Sequence, residues 1–206
     1  MGVILRQAAK GTTVSYIGMA IGYVNILWLF PYCFNIEQIG LYKILIDASV
    51  TLVLLSQFGV TSTAVKFFPQ FKDNKTSERT FNTYIILVAI GGFLLVGLLS
   101  LLFRDVISSY YEEKGQLLLS YAHLILPIAL AMSLFGVFNT FSQIKMRITI
   151  PKILNEVFIR LVISLAAILF ALNVLQYEQF LVALTAAYVI ATLLLFVYVS
   201  RLTKIR

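Results

Sequence analysis

Four residues with chemistry to offer, Lys152, Glu156, Arg160 and Ser164, recur at every fourth position of an otherwise apolar run, PKILNEVFIRLVISLAAILFAL (151–172). At about 1.5 Å per residue, Arg160 lies roughly 12 Å along a helix from Lys152. Steps of four keep all of them on one face, and Glu N-terminal to Arg is the favourable order for an ion pair. The run is of membrane-spanning length, and a charge in hydrocarbon costs a few kcal/mol or more, so such a stripe faces protein or a watery path. Two readings stay open at this point. Glu156 and Arg160 form a structural pair, with Arg160 snorkelling to the aqueous surface, or they line a cavity. Further polar residues interrupt other apolar runs: Asn25, then Lys43 and Asp47 four apart, Gln57, His123 and Asn139. Lys43 is near enough to a span end to snorkel; Asp47, a turn deeper, is the better cavity candidate.

Other chemistries find little support. Cys33 stands alone and so does His123, which leaves no disulfide, no metal-ligand cluster and little acid–base capacity near neutral pH. The sequence has no phosphate-binding G-x-x-x-x-G-K-[ST] loop, no H-E-x-x-H and no G-x-S-x-G elbow. We therefore expect no enzyme, no cofactor and no metal. The formal charge of +7 is spread over short loops between apolar runs and is not a nucleic-acid patch.

The elements that must position these residues are membrane helices. The composition is 60% hydrophobic and 12% charged, and mean hydropathy is +0.94, too apolar to coat a water-soluble core. Six continuous runs, at about 13–31, 43–65, 81–103, 118–141, 153–172 and 179–200, each approach the roughly 20 residues that a bilayer requires. Their continuity, without alternation, selects helices over a barrel. The expectation is an all-α, polytopic, six-helix membrane bundle over residues 1–206. Polar content concentrates on the first, second, fourth and fifth spans, which are expected to line a shared path. The third and sixth, free of charge, are expected to face lipid. Pro69 is expected to close the second span, and Gly91, Gly92 and Gly97 to permit close packing of the third.

The charge distribution orients the chain. With the N-terminus in the cytoplasm, that side holds Arg6, Lys10, Lys66, Lys72, Lys75, Arg79, Lys145, Arg147, Lys152, Arg201, Lys204 and Arg206. The other side keeps Lys43, Arg104 and Lys114, an asymmetry of about fourfold that places both termini inside. Tyr110 and Tyr111 then fall at the outer interface.

Several stretches resemble the polysaccharide-biosynthesis (O-antigen and oligosaccharide) flippase family of the multidrug/oligosaccharidyl-lipid/polysaccharide exporter superfamily. They are Arg6-Gln7 with Tyr16 and Gly18, then Glu37-Gln38-Ile39-Gly40-Leu41-Tyr42, then Phe58-Gly59, then Lys66-Phe67-Phe68-Pro69-Gln70-Phe71-Lys72, and finally Asn155-Glu156-Val157-Phe158-Ile159-Arg160. The resemblance rests on their order and spacing along all 206 residues. It implies alternating access in a two-lobe, inner-membrane exporter of polyprenyl-diphosphate-linked oligosaccharides. Family members run to about twice this length, so the chain is expected to be the N-terminal lobe, completed by a C-terminal lobe or by a second copy, in a homodimer. On this reading Arg160 is the first choice for the diphosphate and Lys43 the second, with Glu156, Asp47 and Asn25 along the path and Arg6 or Lys10 at the cytoplasmic mouth. Two alternatives are a multidrug cation antiporter of the same superfamily, which needs Asp47 and Glu156 as acids, and a non-transporting assembly factor for polysaccharide synthesis.

The orientation makes a direct prediction. Reporter fusions after residues 10, 75 and 147 should be active only as cytoplasmic reporters, and fusions within 104–114 only as external ones; the opposite pattern would invert the topology.

Overall fold

The computed structural model describes residues 2–71, 74–103 and 120–204; Tyr110 and Tyr111 lie outside the described residues. The described residues are 91% helical, with no strand among them. Among the described residues, six helices are long and apolar enough to cross a membrane: Gln7–Cys33, Ile36–Ser56, Thr76–Leu102, Ala122–Ile144, Thr149–Ala171 and Tyr177–Leu202. This is an all-α, multi-pass membrane protein. It divides into two compact units, one formed by residues 1–42 and 141–206 and the other by residues 43–140.

The first unit is built on the first, fifth and sixth spans. The first span runs as an α-helix over Gly2–Val24, widens into a π-turn at Asn25–Leu29 and resumes at Phe30–Cys33. The fifth repeats the device, with α-helix at Thr149–Lys152, π-helix at Ile153–Phe158 and α-helix at Ile159–Ala171. Helix starts follow capping signals legible in NIEQ and QYEQ. Gln38 accepts from the amide of Asn35 at 3.0 Å, and Gln179 from that of Gln176 at 2.9 Å, each side chain reaching back from the third helical position.

The core of this unit lies on the sixth span. Phe180, Leu184, Ala187, Ala191 and Leu195 repeat at steps of three and four and are each at most 1% exposed. They pack against the fifth span, which buries Ile159, Ile163, Ala166 and Ala167. The sixth span, expected to face lipid, thus packs one face on the fifth while Val182, Ile190, Leu193 and Val197 leave another apolar face exposed. Lipid offers no hydrophobic gain, so helix association selects small residues that let backbones approach. Ala187 and Ala191 supply that surface. At one end, Phe34 stacks on Phe170 (centroids 4.8 Å apart) and meets Phe180 at 4.6 Å and Phe30 edge-on at 5.8 Å. The Tyr177 hydroxyl donates to the Gln38 carbonyl at 2.7 Å. This aromatic knot ties the loop after the first span to the start of the sixth.

The second unit departs from the expected single helix over 43–65. The helix Ile36–Ser56 stops, Phe58 and Gly59 take left-handed backbone (φ 40° and 74°), and a new helix runs over Val60–Phe71. Pro69 sits inside that helix and does not end the span. Asn74 caps the next helix, Lys75–Leu102, by accepting from the amide of Thr76 at 3.0 Å. The stacked rings of Phe71 and Phe81, 4.7 Å apart, hold the short helix beside it.

Candidate functional site

The charged face of the fifth span lies along the first span, and the first span is carved to receive it. Gly11, Ser15, Gly18, Gly22 and Asn25 recur at steps of four and three, one face of a helix. A Cβ on Gly18 would stand 2.7 Å from the Cβ and 2.7 Å from the carbonyl oxygen of Glu156, and one on Gly22 would strike the Arg160 guanidinium. Only glycine permits this approach. The two spans thus meet in parallel register: Gln7 with Thr149, Gly11 and Ser15 with Lys152, Gly18 with Glu156, Gly22 with Arg160, and Asn25 with Ser164.

Every level of the seam carries a polar contact. Thr149 donates to Gln7 Oε1 at 2.7 Å. The Lys152 ammonium donates to the Ser15 hydroxyl at 3.0 Å, and that hydroxyl donates to Glu156 Oε1 at 3.2 Å. The Arg160 guanidinium donates to the Gly18 carbonyl. Asn25, 5% exposed, offers its amide nitrogen to the Arg160 carbonyl at 3.4 Å and accepts from Ser164 at 2.8 Å. The π-turn beginning at Asn25 and the π-helix over 153–158 flank this contact; π-bulges occur often at functional sites.

Of the two readings left open, the direct Glu156–Arg160 pair is not made. The close packing at Gly18 brings Glu156 up to the first span, where Ser15 bridges it to Lys152 one turn below. Arg160, one turn above, extends along Gly22 to a backbone carbonyl. The seam holds two cations and one carboxylate, a formal charge of 2 − 1 = +1. A guanidinium has five N–H donors, and among the described residues no carboxylate meets Arg160. The arrangement therefore presents, within a membrane span, a planar cation held by the Gly18 carbonyl and met by no carboxylate among the described residues.

Of the residues expected to form a path, Arg160, Glu156 and Asn25 come together here. Lys43 and Asp47 belong to the second unit and are exposed on the helix Ile36–Ser56. Lys10 is exposed on the first helix; the Arg6 side chain lies outside the described residues. Lys152 joins them from the charged stripe, and Ser15, Gly11 and Gly22 complete the site without having been singled out, beside a Gly18 noted only for the family resemblance. Their signal was available in the spacing 11, 15, 18, 22, 25, which matches the fifth span's 152, 156, 160, 164 turn for turn. Comparison with models of protein families, with curated proteins and with solved structures finds no match for this chain.

The glycine face yields a stability prediction with an internal control. Gly18→Ala must push the fifth span away and should lower unfolding stability in detergent by about 1–3 kcal/mol. Gly40→Ala, where a Cβ meets nothing within 4 Å, should leave stability equal or raise it by up to about 1 kcal/mol through helix propensity. Equal effects at the two glycines would remove the close approach from the account.

Proposed function

We propose that this chain moves a polyprenyl-diphosphate-linked oligosaccharide across the cytoplasmic membrane, with both termini on the cytoplasmic side, as one lobe of a larger transporter. The observation that carries this reading is Arg160, a guanidinium within a membrane span that has no carboxylate against it. Excess positive charge at that depth is costly without an anionic partner. A diphosphate supplies one, and a guanidinium suits it better than an ammonium because its flat fork of donors matches phosphate oxygens in pairs. The sugar portion needs hydrogen-bonding groups too, since each hydroxyl left unpaired in hydrocarbon costs a few kcal/mol. Asn25, Ser164 and Ser15 provide such groups within the same seam. The stretch Asn155 to Arg160, which resembles the flippase family's entry to its fifth span, supplies two of the seam's residues, Glu156 and Arg160.

A cation antiporter reading uses the acids instead, and the seam's net positive charge argues against it. The two readings separate in vesicles carrying the full-length transporter. Arg160→Ala should cut translocation of a fluorescent lipid-diphosphate-linked glycan at least tenfold while membrane insertion stays normal, and Arg160→Lys should retain part of the rate. Glu156→Gln and Asp47→Asn should leave glycan translocation within about twofold, but would abolish drug export in an antiporter. Normal glycan translocation by Arg160→Ala would overturn the proposal.

A further inference from the structure

The seam between the first and fifth spans has two sides, and their side chains differ in kind. On the first span, the residues that follow Gly11, Ser15, Gly18 and Gly22 are Thr12, Tyr16, Met19 and Tyr23. They form a stripe about 100° round the helix from the seam. All four are exposed, Tyr16 to 67%, Met19 to 62% and Tyr23 to 62%. The stripe on the other flank, Val14, Ile17, Ile21 and Val24, is aliphatic throughout.

The fifth span repeats the asymmetry. The two helices run parallel and turn in the same sense, so the flank after the seam on one lies beside the flank before it on the other. Beside the aliphatic stripe therefore stand Ile153, Leu161 and Leu165, apolar and exposed. That side suits acyl chains. Beside the tyrosines the fifth span sets Ile159 and Ile163, which are buried, and Asn155, which is exposed. Asn155 adjoins Glu156, whose backbone rests on Gly18, so it stands within a turn of Tyr16.

Depth makes the tyrosine side unsuited to lipid. Along the span Gln7–Cys33, Tyr16 is 9 residues from one end and Tyr23 is 10 from the other, so each ring stands about 14 Å or more inside. Membrane tyrosines collect at the headgroup level, where their hydroxyls are wet. In hydrocarbon an unpaired hydroxyl is costly, and among the described residues neither of these two has a hydrogen-bond partner. The sixth span shows what a lipid-facing surface of this unit looks like: Val182, Ile190, Leu193 and Val197 expose no polar side-chain atom.

We propose that the Tyr16–Tyr23 side of the seam is the wet wall along which the sugar rings of the cargo lie, with the diphosphate held at Arg160. This names a subsite within the transport reading and rests on that reading. A tyrosine offers a sugar both things it needs, a flat apolar face for the C–H side of a ring and a hydroxyl to exchange hydrogen bonds with ring hydroxyls. Seven residues apart, Tyr16 and Tyr23 share one line about 10.5 Å long, room for consecutive rings of an oligosaccharide. Met19 between them supplies an adaptable apolar contact, and the Asn155 amide supplies donors and an acceptor from the facing helix. Arg160 meets the first span at Gly18 and Gly22, between the levels of the two tyrosines. Diphosphate and sugar thus fall on one stretch of chain.

The test is cysteine labelling of the full chain in lipid nanodiscs, on a Cys33→Ala background, with a charged, membrane-impermeant thiosulfonate. Tyr16→Cys and Tyr23→Cys should label at least tenfold faster than Ile17→Cys and Val24→Cys, which lie at the same depth and are each 50% exposed. Equally slow labelling on both flanks would mean that lipid or another protein surface covers the tyrosines, and would overturn the proposal. The lipid-linked oligosaccharide fraction of the cells that make this protein should then slow labelling at positions 16 and 23 at least fivefold. Polyprenyl diphosphate without sugar should leave those rates unchanged, while binding to wild type and losing that binding in Arg160→Ala. Arg160-dependent binding without protection by the sugar-bearing fraction would overturn the sugar wall and leave the transport reading standing. Binding that does not depend on Arg160 would overturn that reading, and the sugar wall with it.

Discussion

The contact on which the first unit depends is the seating of the fifth span's Glu156 backbone on Gly18. In lipid, two apolar helices gain nothing by hiding side chains from each other, so association rests on close packing and on hydrogen bonds. Gly18 supplies the first directly. By doing so it sets every distance above and below: Ser15 comes within reach of both Lys152 and Glu156, Gly22 leaves room for a guanidinium, and Asn25 meets Ser164. A methyl group at position 18 would not remove one contact; it would shift the register of all of them.

The second unit obeys a different constraint, the obligation of backbone groups in hydrocarbon to find partners. Gln57, Phe58 and Gly59 leave the helix there, and Phe58 does so with a left-handed backbone that costs a side-chain-bearing residue about a kcal/mol or more. Gly92 and Gly136 are small where the displaced carbonyl and amide arrive. Two glycines on two other spans thus accommodate one break. This consistency argues that the interruption is a built feature of the fold and not a frayed helix end.

The number and helical nature of the spans were legible because they follow from apolar run length, which the bilayer reads almost directly. What composition could not decide was which faces meet. The sixth span carries no charge on any face, yet Phe180, Leu184, Ala187 and Ala191 are core while Val182, Ile190, Leu193 and Val197 are exposed. Hydropathy does not separate the face of a helix that packs on protein from the face that is left to lipid. The break at Gln57-Phe58-Gly59 was hidden for the same reason, since Val53 to Leu55 and Val60 are apolar on either side of it. Glu156 and Arg160 were correctly placed on one face, but a spacing of four says only that two side chains can meet. The glycine at position 18 and the serine at 15 decided that they instead turn to another helix.

That decision bears on how firmly the seam is held. Hydrogen bonds between membrane helices average about 0.6 kcal/mol each, because the separated helices find other partners. The contacts from Gln7 to Ser164 therefore add up to only a few kcal/mol, the scale on which two conformations of a membrane protein interchange. A direct Glu156–Arg160 pair would have neutralised the guanidinium permanently, and breaking it would expose two charges at once. Tying Glu156 to Lys152 through Ser15 keeps the carboxylate compensated while Arg160 holds only a neutral carbonyl. An anion can displace a carbonyl from a guanidinium far more readily than it can displace a carboxylate. The seam is thus built so that its one unpaired cation is also the group most easily surrendered.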